Sequence, residues 1–304
     1  MSATLPAAAD VQGRIAGLYL YPVKSCAGIA LEEALLTETG LDLDRAWMLV
    51  DAQGEFVSQR EAPRLALVQP AFRRGGSELV LRAPGMLALH LRVDAVEAPT
   101  RVRIWDDEVP AYDMGDIAAQ WFTDFLSLNA QGLPRAAAPR LRLVRFDPEH
   151  RRLSDRQWTG GIEAPNQFSD GYPLLVLGQA SLDGLNARLR ARGQPAVDVR
   201  RFRPNIVLQG LQAHDEDRLR ALRIETDQGV VELPLVKPCA RCSIPDVDPD
   251  TGASSSAVGD ALQAYRQDPR LQGALTFGMN AIVGRGADAL LRVGQAVSGD
   301  FRFD

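Results

Sequence analysis

The segment Val236-Lys237-Pro238-Cys239-Ala240-Arg241-Cys242-Ser243-Ile244-Pro245-Asp246-Val247-Asp248 holds two of the three cysteines of this 304-residue chain. A cation lies within two residues of each cysteine, and a proline flanks the pair on each side, so the interior of a helix is excluded. A thiol in a constrained, electropositive loop is a candidate thiolate, the form that attacks or binds metal. Three interpretations follow: a soft-metal ligand, a redox dithiol or an ordinary loop with two small apolar side chains.

The sequence around the cysteine pair favours some of these interpretations over others. A structural zinc site requires four ligands, and the chain has no second paired cysteine motif and only three histidines. A thioredoxin-like dithiol requires a helix directly after the motif, which Pro245 would break. A single thiolate that binds a soft metal fits better than either, and the ordinary loop remains open.

Composition limits the class of protein. Apolar residues make up 46% and charged residues 24% of the chain, which is enough for a buried core and for two domains. The net charge of -5 argues against a nucleic-acid or anionic-membrane partner. The first ten residues do not resemble a secretory signal, and no apolar stretch is long enough to span a membrane. Paired cysteines without a disulfide framework favour a reducing, cytoplasmic location.

The pattern of the chain predicts a mainly β fold with helical decorations (α+β). Many short apolar or alternating segments, among them 14–21, 45–51, 101–105 and 174–177, read as strands. One helix is predicted with Asp116 as its N-cap and an apolar stripe through Ile117, Trp121 and Phe125. The polar loop 147–170 is long enough to indicate function. The small-residue stretch 129–139 is a reasonable domain boundary, and many strands with few helices are typical of barrel-like domains.

Two further segments carry clustered cations. Arg200-Arg201-Phe202-Arg203-Pro204-Asn205 has three guanidinium groups beside a predicted strand, and guanidinium groups bind phosphate in bidentate fashion. Tyr21-Pro22-Val23-Lys24-Ser25-Cys26-Ala27-Gly28 places a lysine and a serine in a loop between proline and glycine. Taken singly, each segment is also consistent with a solvated surface turn.

Together these motifs resemble a known family. The Tyr21–Cys26 segment, Gly40-Leu41 with Asp44-Arg45, and the segment 59–65 are similar to the N-terminal β-barrel domain that precedes MOSC domains. The segments 181–189, 202–207, 237–242 and 248–252 are similar to the MOSC domain itself. The resemblance covers about residues 11 to 298 and favours the amidoxime-reducing component proteins and their bacterial relatives. It implies an N-terminal β-barrel-like domain over residues 11–132 and a MOSC β-barrel domain over residues 133–304.

The resemblance also implies a cofactor and its ligands. A pterin-based molybdenum cofactor is expected between the two domains, with Cys242 as the molybdenum ligand and catalytic centre. The positions expected around its phosphate and pterin are Lys24, Ser25, Arg45, Asp170, Arg203, Asn205 and Arg241. Gly171-Tyr172 and Ala240 stand where relatives often have Thr-Ser and a hydroxyl residue, so any contacts there are expected through the backbone.

The implied activity is the two-electron reduction of N-hydroxylated or N-oxide compounds at molybdenum. Soft sulfur donors suit such a metal, and Lys and Arg suit a phosphate. Because the chain has no C-x₄-C-x₂-C run for an iron–sulfur cluster, electrons are expected from a separate donor protein. The alternative function is a molybdenum cofactor carrier, related to the MOSC domains of cofactor sulfurases and without turnover of its own.

Overall fold

The computed structural model describes residues 9–128 and 140–302. Strands make up 40% and helices 19% of the protein, which confirms the prediction of a mainly β fold. The boundary predicted at residues 129–139 lies outside the described residues.

The strands of the first half are β1 Val11–Leu20, β2 Ile29–Leu31, β3 Glu33–Thr37, β4 Gly40–Leu41, β5 Trp47–Val50, β6 Gln69–Arg73, β7 Glu78–Arg82, β8 Leu89–Arg92, β9 Ala98–Ile104, β10 Asp107–Asp113 and β11 Arg142–Phe146. Those of the second half are β12 Arg152–Leu153, β13 Pro165–Asn166, β14 Leu174–Gly178, β15 Ile206–Gln209, β16 Ala221–Thr226, β17 Gly229–Ala240, β18 Gln267–Asp268, β19 Ala274–Ala281, β20 Leu290–Arg292 and β21 Ala296–Gly299. The α-helices are α1 Asp116–Leu126, α2 Arg156–Thr159, α3 Gln179–Ala191 and α4 Ala257–Gln263.

Seven strands close into a barrel in the order β14-β15-β1-β21-β16-β17-β19, and β14 pairs with β19 to complete the ring. The pairs are antiparallel except β14 with β15, which is parallel. Inward-facing aliphatic side chains from strands far apart in sequence, such as Ile15, Ile206 and Leu233, form one buried core. Closure leaves these seven strands without a free edge.

A second unit is built on the four-stranded sheet β5-β11-β10-β9 and the three-stranded sheet β6-β7-β8. Helix α1 covers it, because Phe122 and Phe125 pack into the same core as Trp47 and Leu143. The predicted helix is therefore confirmed over Asp116–Leu126.

Two details of that helix prediction are wrong. The N-cap is Gly115, whose φ of 89° puts it in the left-handed region where glycine is favoured, and Asp116 is the first helical residue. Ile117 was placed on the buried stripe but is 79% exposed. Ile117 faces solvent, whereas Ala118 and Ala119 of the same turn are buried.

Strand pairing crosses the boundary predicted at residue 132 in both directions. Strand β1 lies within residues 11–132, yet it pairs with β15 and β21 in the closed barrel. Strand β11 lies beyond residue 132, yet it pairs with β5 and β10 in the N-terminal unit. The two units are thus interlocked by exchange of strands.

His214, which precedes the short 3-10 turn Asp215–Asp217, lies beside Tyr265 and Phe277, with ring centroids 5.7 and 6.0 Å away. Burial, together with the charges of Arg266 and Arg188, lowers its pKa from 6.5 to about 4. The unfolded chain therefore binds a proton more readily than the folded one between these pH values. Stability from this group is complete above pH 6.5 and is lost as the pH falls towards 4.

We expect His214→Asn to reduce the acid sensitivity of the fold. Asparagine tolerates the left-handed φ of 68° at this position. In urea unfolding at pH 7.5 and pH 4.5, the wild type should lose about 2 kcal/mol more free energy of unfolding than the variant. An equal loss in both proteins would show that the acid sensitivity arises elsewhere.

None of the helices in residues 9–128 and 140–302 has the length and apolar character required to cross a membrane.

Candidate functional site

A cavity of about 570 Å³ lies where the two units meet. Its wall includes every residue that the sequence nominated: Lys24, Ser25, Arg45, Asp170, Gly171, Tyr172, Arg203, Asn205, Ala240, Arg241 and Cys242. These residues come from five separate segments of the chain. The tertiary structure therefore gathers the predicted cation clusters and the cysteine motif around one space.

The two cysteines of the motif occupy different environments. Strand β17 runs through Cys239, which is partly buried, whereas Cys242 follows the strand and is exposed. Burial raises the pKa of the Cys239 thiol, although the Arg241 guanidinium, which donates to its sulfur at 3.0 Å, acts in the opposite direction. Both thiols are free. Cys242 is thus the more accessible of the two sulfurs.

The described residues contain no cluster of three or more His, Cys, Asp or Glu side chains that could hold a metal ion.

The carboxylates that follow the motif shape its loop. Asp246 accepts hydrogen bonds from the backbone N–H groups of Val258 and Gly259 at the start of α4, at 3.1 and 3.0 Å. Asp248 accepts from the backbone of residues 250 and 251 through Oδ1, and from Arg201 Nη2 at 2.8 Å through Oδ2. Both side chains are engaged in holding the loop and Cys242 in place.

Two guanidinium groups lie against the ring of Tyr21. The guanidinium carbons of Arg45 and Arg203 lie 4.4 and 4.3 Å from its centroid. Arg45 donates to the Arg203 carbonyl at 3.0 Å, and Arg203 donates to the Cys26 carbonyl at 2.5 Å. Burial and the neighbouring charge of Arg45 lower the pKa of Arg203 to about 10. Two cations held this close favour an anion between or beside them.

Arg203 and Arg241 also carry donors without partners. The Nη2 atom of Arg203 and the Nε atom of Arg241 are buried and make no hydrogen bond within the described part of the chain. A buried unsatisfied donor costs about 1–3 kcal/mol. Both arginines line the cavity, so an anionic ligand there is a means of satisfying them.

Lys24 and Asp170 form an ion pair across the cleft. The buried Lys24 ammonium donates to Asp170 Oδ1 at 2.5 Å and to the Phe168 carbonyl at 2.9 Å. Burial lowers the pKa of Lys24, and the Asp170 charge partly offsets that shift. The surrounding protein would raise the pKa of Asp170, but the Lys24 ammonium and its hydrogen bond hold it well below its usual range. Each group thus favours the charged form of the other.

Asn205 positions other groups. Its Oδ1 accepts from Arg45 Nη1 and from the Leu175 backbone, both at 3.1 Å, and its Nδ2 donates to the Tyr19 carbonyl at 3.2 Å. The side chain is buried. These bonds join β1 to β14 and fix the orientation of Arg45, so Asn205 acts on the cavity through that arginine.

Four nominated positions contribute mainly through their backbone and shape. Ser25 has a left-handed φ of 68°, and its carbonyl accepts from Gln59 at 2.6 Å. A Cβ on Gly171 would meet open space, and Ala240 is exposed. The cavity is therefore not crowded at either residue. Tyr172 is buried beside Ile282, and burial raises the pKa of its hydroxyl.

Sequence reasoning missed Arg152 and singled out Arg201 only as one member of the arginine run. Arg152 is 6% exposed and donates to the loop carbonyls that precede Asp170, while Arg201 ties its own turn to Asp248 and to the Pro245 carbonyl at 3.3 Å. Both line the cavity. The only sequence signals were the unusual length of the loop 147–170 and the arginine run, and neither distinguishes a buried arginine from a solvated one.

Fold and site together define a class: an interlocked pair of β-units with a cation-lined cleft and an exposed cysteine at its wall. Comparison with family models agrees with this description. Residues 12–129 match the MOSC N-terminal beta barrel domain, and residues 163–298 match the MOSC domain. The chain belongs to the MOSC domain family, in the group that carries the N-terminal β-barrel domain.

The chain is also similar in sequence to individual proteins of known name. The chain is 35% identical over 261 residues to mitochondrial amidoxime-reducing component 1 of Mus musculus, covering 84% of this chain and 72% of that protein. It is 36% identical over 267 residues to the Homo sapiens component 1, covering 84% and 73%. The Homo sapiens component 2 is 34% identical over 263 residues, covering 84% and 72%.

Proposed function

We propose that the protein is a molybdenum-cofactor-dependent oxidoreductase that reduces N-hydroxylated or N-oxide compounds. The observation that supports this most strongly is the convergence of cations from both units and the exposed Cys242 on one cavity of about 570 Å³. The names of the amidoxime-reducing relatives support the substrate class.

The residues present fit such a cofactor. A phosphate would satisfy the partnerless donors of Arg203 and Arg241. Cys242 offers one thiolate, a ligand type that soft metals prefer. The described residues hold no cluster of three or more metal-binding side chains, which is compatible with a metal whose other ligands come from the cofactor. Arg45 stacks on Tyr21 beside these donors and adds positive charge.

The bound cofactor would supply the two-electron redox chemistry. The reaction balances as R–NH–OH + 2 e⁻ + 2 H⁺ → R–NH₂ + H₂O, with cleavage of the N–O bond. The chain would contribute the thiolate of Cys242 and the phosphate-binding donors of Arg203 and Arg241. The residues that line the cavity would orient the substrate. We further propose a separate electron-donor protein and, from the cysteine usage, a cytoplasmic location.

The test is to express the protein in cells supplied with excess molybdate, measure molybdenum per chain, and assay benzamidoxime reduction with an artificial electron donor. We expect about one molybdenum per chain and conversion to benzamidine. In addition, substrate should reoxidise the chemically reduced holoprotein. Molybdenum without reoxidation would replace this proposal by the cofactor-carrier function. Absence of molybdenum from protein made in cofactor-replete cells would overturn both.

A further inference from the structure

The cations that line the cavity differ in their partners. Those with a carboxylate at ion-pair distance are Lys24, Arg45, Arg60, Arg152 and Arg201. In the described part of the chain, the cavity cations without such a carboxylate are Arg203, Lys237 and Arg241. Unneutralised cations in a concave site favour an anionic ligand.

Lys237 differs from the two arginines of this set. Each arginine donates to a backbone carbonyl, Arg203 to that of Cys26 and Arg241 to that of Phe202. The Lys237 ammonium makes no hydrogen bond or ion pair with any residue that the structure describes. It lies 5.2 Å from the ring centroid of Trp158 and 5.8 Å from that of Tyr172.

Ring faces hold an ammonium without using its N–H donors. A cation–π contact attracts the charge to the aromatic face, while the three N–H groups remain available to an acceptor in the cavity. The carboxylate of Asp155 lies close enough to act on Tyr172, but it accepts from the Gln157 backbone and lies beyond ion-pair distance of Lys237. The Lys237 charge is therefore oriented by the protein and left without a counter-charge.

Lys237 and Cys242 are close in the chain. Lys237 lies on β17, five residues before Cys242, so the two Cα atoms are at most about 18 Å apart. Both residues line the same cavity. A small molecule whose reacting group lies near Cys242 can therefore extend along the wall of β17 towards the ammonium.

We infer that Lys237, held against Trp158 and Tyr172, is an anion subsite for the substrate, and that the cleft prefers N-hydroxylated compounds bearing a carboxylate on the side away from the N–O bond. This inference rests on the proposed function for the reacting group. The subsite itself rests on the geometry of Lys237 alone.

The test compares 4-carboxybenzamidoxime with its uncharged, similarly shaped amide, 4-carbamoylbenzamidoxime. Wild type, Lys237→Met and Lys237→Arg are assayed as molybdenum-loaded proteins for kcat/KM on both compounds. Binding of each compound to the oxidised proteins is measured by calorimetry. Arg60→Met is the matched control, because Arg60 also stacks on rings of this cavity, 5.5 Å from Phe56 and 4.7 Å from Trp105, yet has Glu61 as a partner.

The wild type should prefer the carboxylate, and Lys237→Met should reduce that preference about tenfold or more, through KM, since a hydrogen bond to a charged group is lost. Lys237→Arg should retain most of the preference, and Arg60→Met should alter it less than about threefold. Equal losses on both compounds, or a fall in molybdenum content in Lys237→Met, would overturn the inference. If the wild type reduces neither compound, the proposed function fails, and the calorimetric preference for the carboxylate and its loss in Lys237→Met then decide the subsite separately.

Discussion

Replacing Cys242 with alanine should abolish reductase activity and remove molybdenum from the purified protein. Cys242 is exposed at the cavity wall directly after β17, and its sulfur is free. Loss of residues that merely support a metal ligand typically costs 10–100-fold in affinity or activity, so loss of a direct ligand should cost more than about 100-fold. The measurements are molybdenum and pterin content per chain, and kcat/KM for benzamidoxime.

Cys239→Ser is the matched control for this variant. Burial raises the pKa of the Cys239 thiol, and its sulfur is engaged by Arg241, so it is the poorer candidate for a metal-bound thiolate. We expect molybdenum content within about threefold of wild type. Cys242→Ser is made beside it, so that both positions carry the same replacement. Equal and severe losses in Cys239→Ser and Cys242→Ser would show that the dithiol, and not one thiolate, is the working unit.

Replacing Arg152 with methionine should produce the largest loss of stability among the cavity residues. Arg152 donates to the Asn166 side chain at 2.7 Å, to the carbonyls of residues 167, 169 and 170 at 2.9, 2.7 and 3.3 Å, and to Asp107 at 2.7 Å. Methionine fills much of the space but donates nothing, so several buried acceptors lose their partner. At about 1–3 kcal/mol for each unsatisfied group, we expect a net loss of about 3 kcal/mol.

The same change should loosen the segment that carries Asp170, the partner of Lys24. Cofactor retention should therefore fall together with stability. Urea unfolding and molybdenum content of Arg152→Met are to be compared with those of Arg151→Met, the neighbouring arginine. Arg151 forms an exposed pair with Glu38 at 2.8 Å, and exposed pairs contribute less than about 1 kcal/mol. Similar stability in the two variants would contradict the assigned role of Arg152.

The sequence alone indicated the β-rich class and the chemistry of the site. Alternating and apolar segments predicted most strands near their observed positions, because strand periodicity is local. The cations of the arginine run and of the Lys24 loop were singled out because the phosphate affinity of Arg and Lys is intrinsic to their side chains. The resemblance of ordered motifs then supplied the expected cofactor and the eleven residues that the cavity gathers.

Only the tertiary structure decided which of these residues share a surface and what each one does. β1 pairs with β15 and β21, nearly 200 and 300 residues away, and no local pattern encodes such pairing. Cys239 is partly buried whereas Cys242 is exposed, a difference that the sequence does not show. Arg152 is buried, although the sequence places it in a polar segment. Folding likewise places the Lys237 ammonium beside the rings of Trp158 and Tyr172. Charge is a property of the residue, but its pairing and exposure are set by neighbours that only folding brings together.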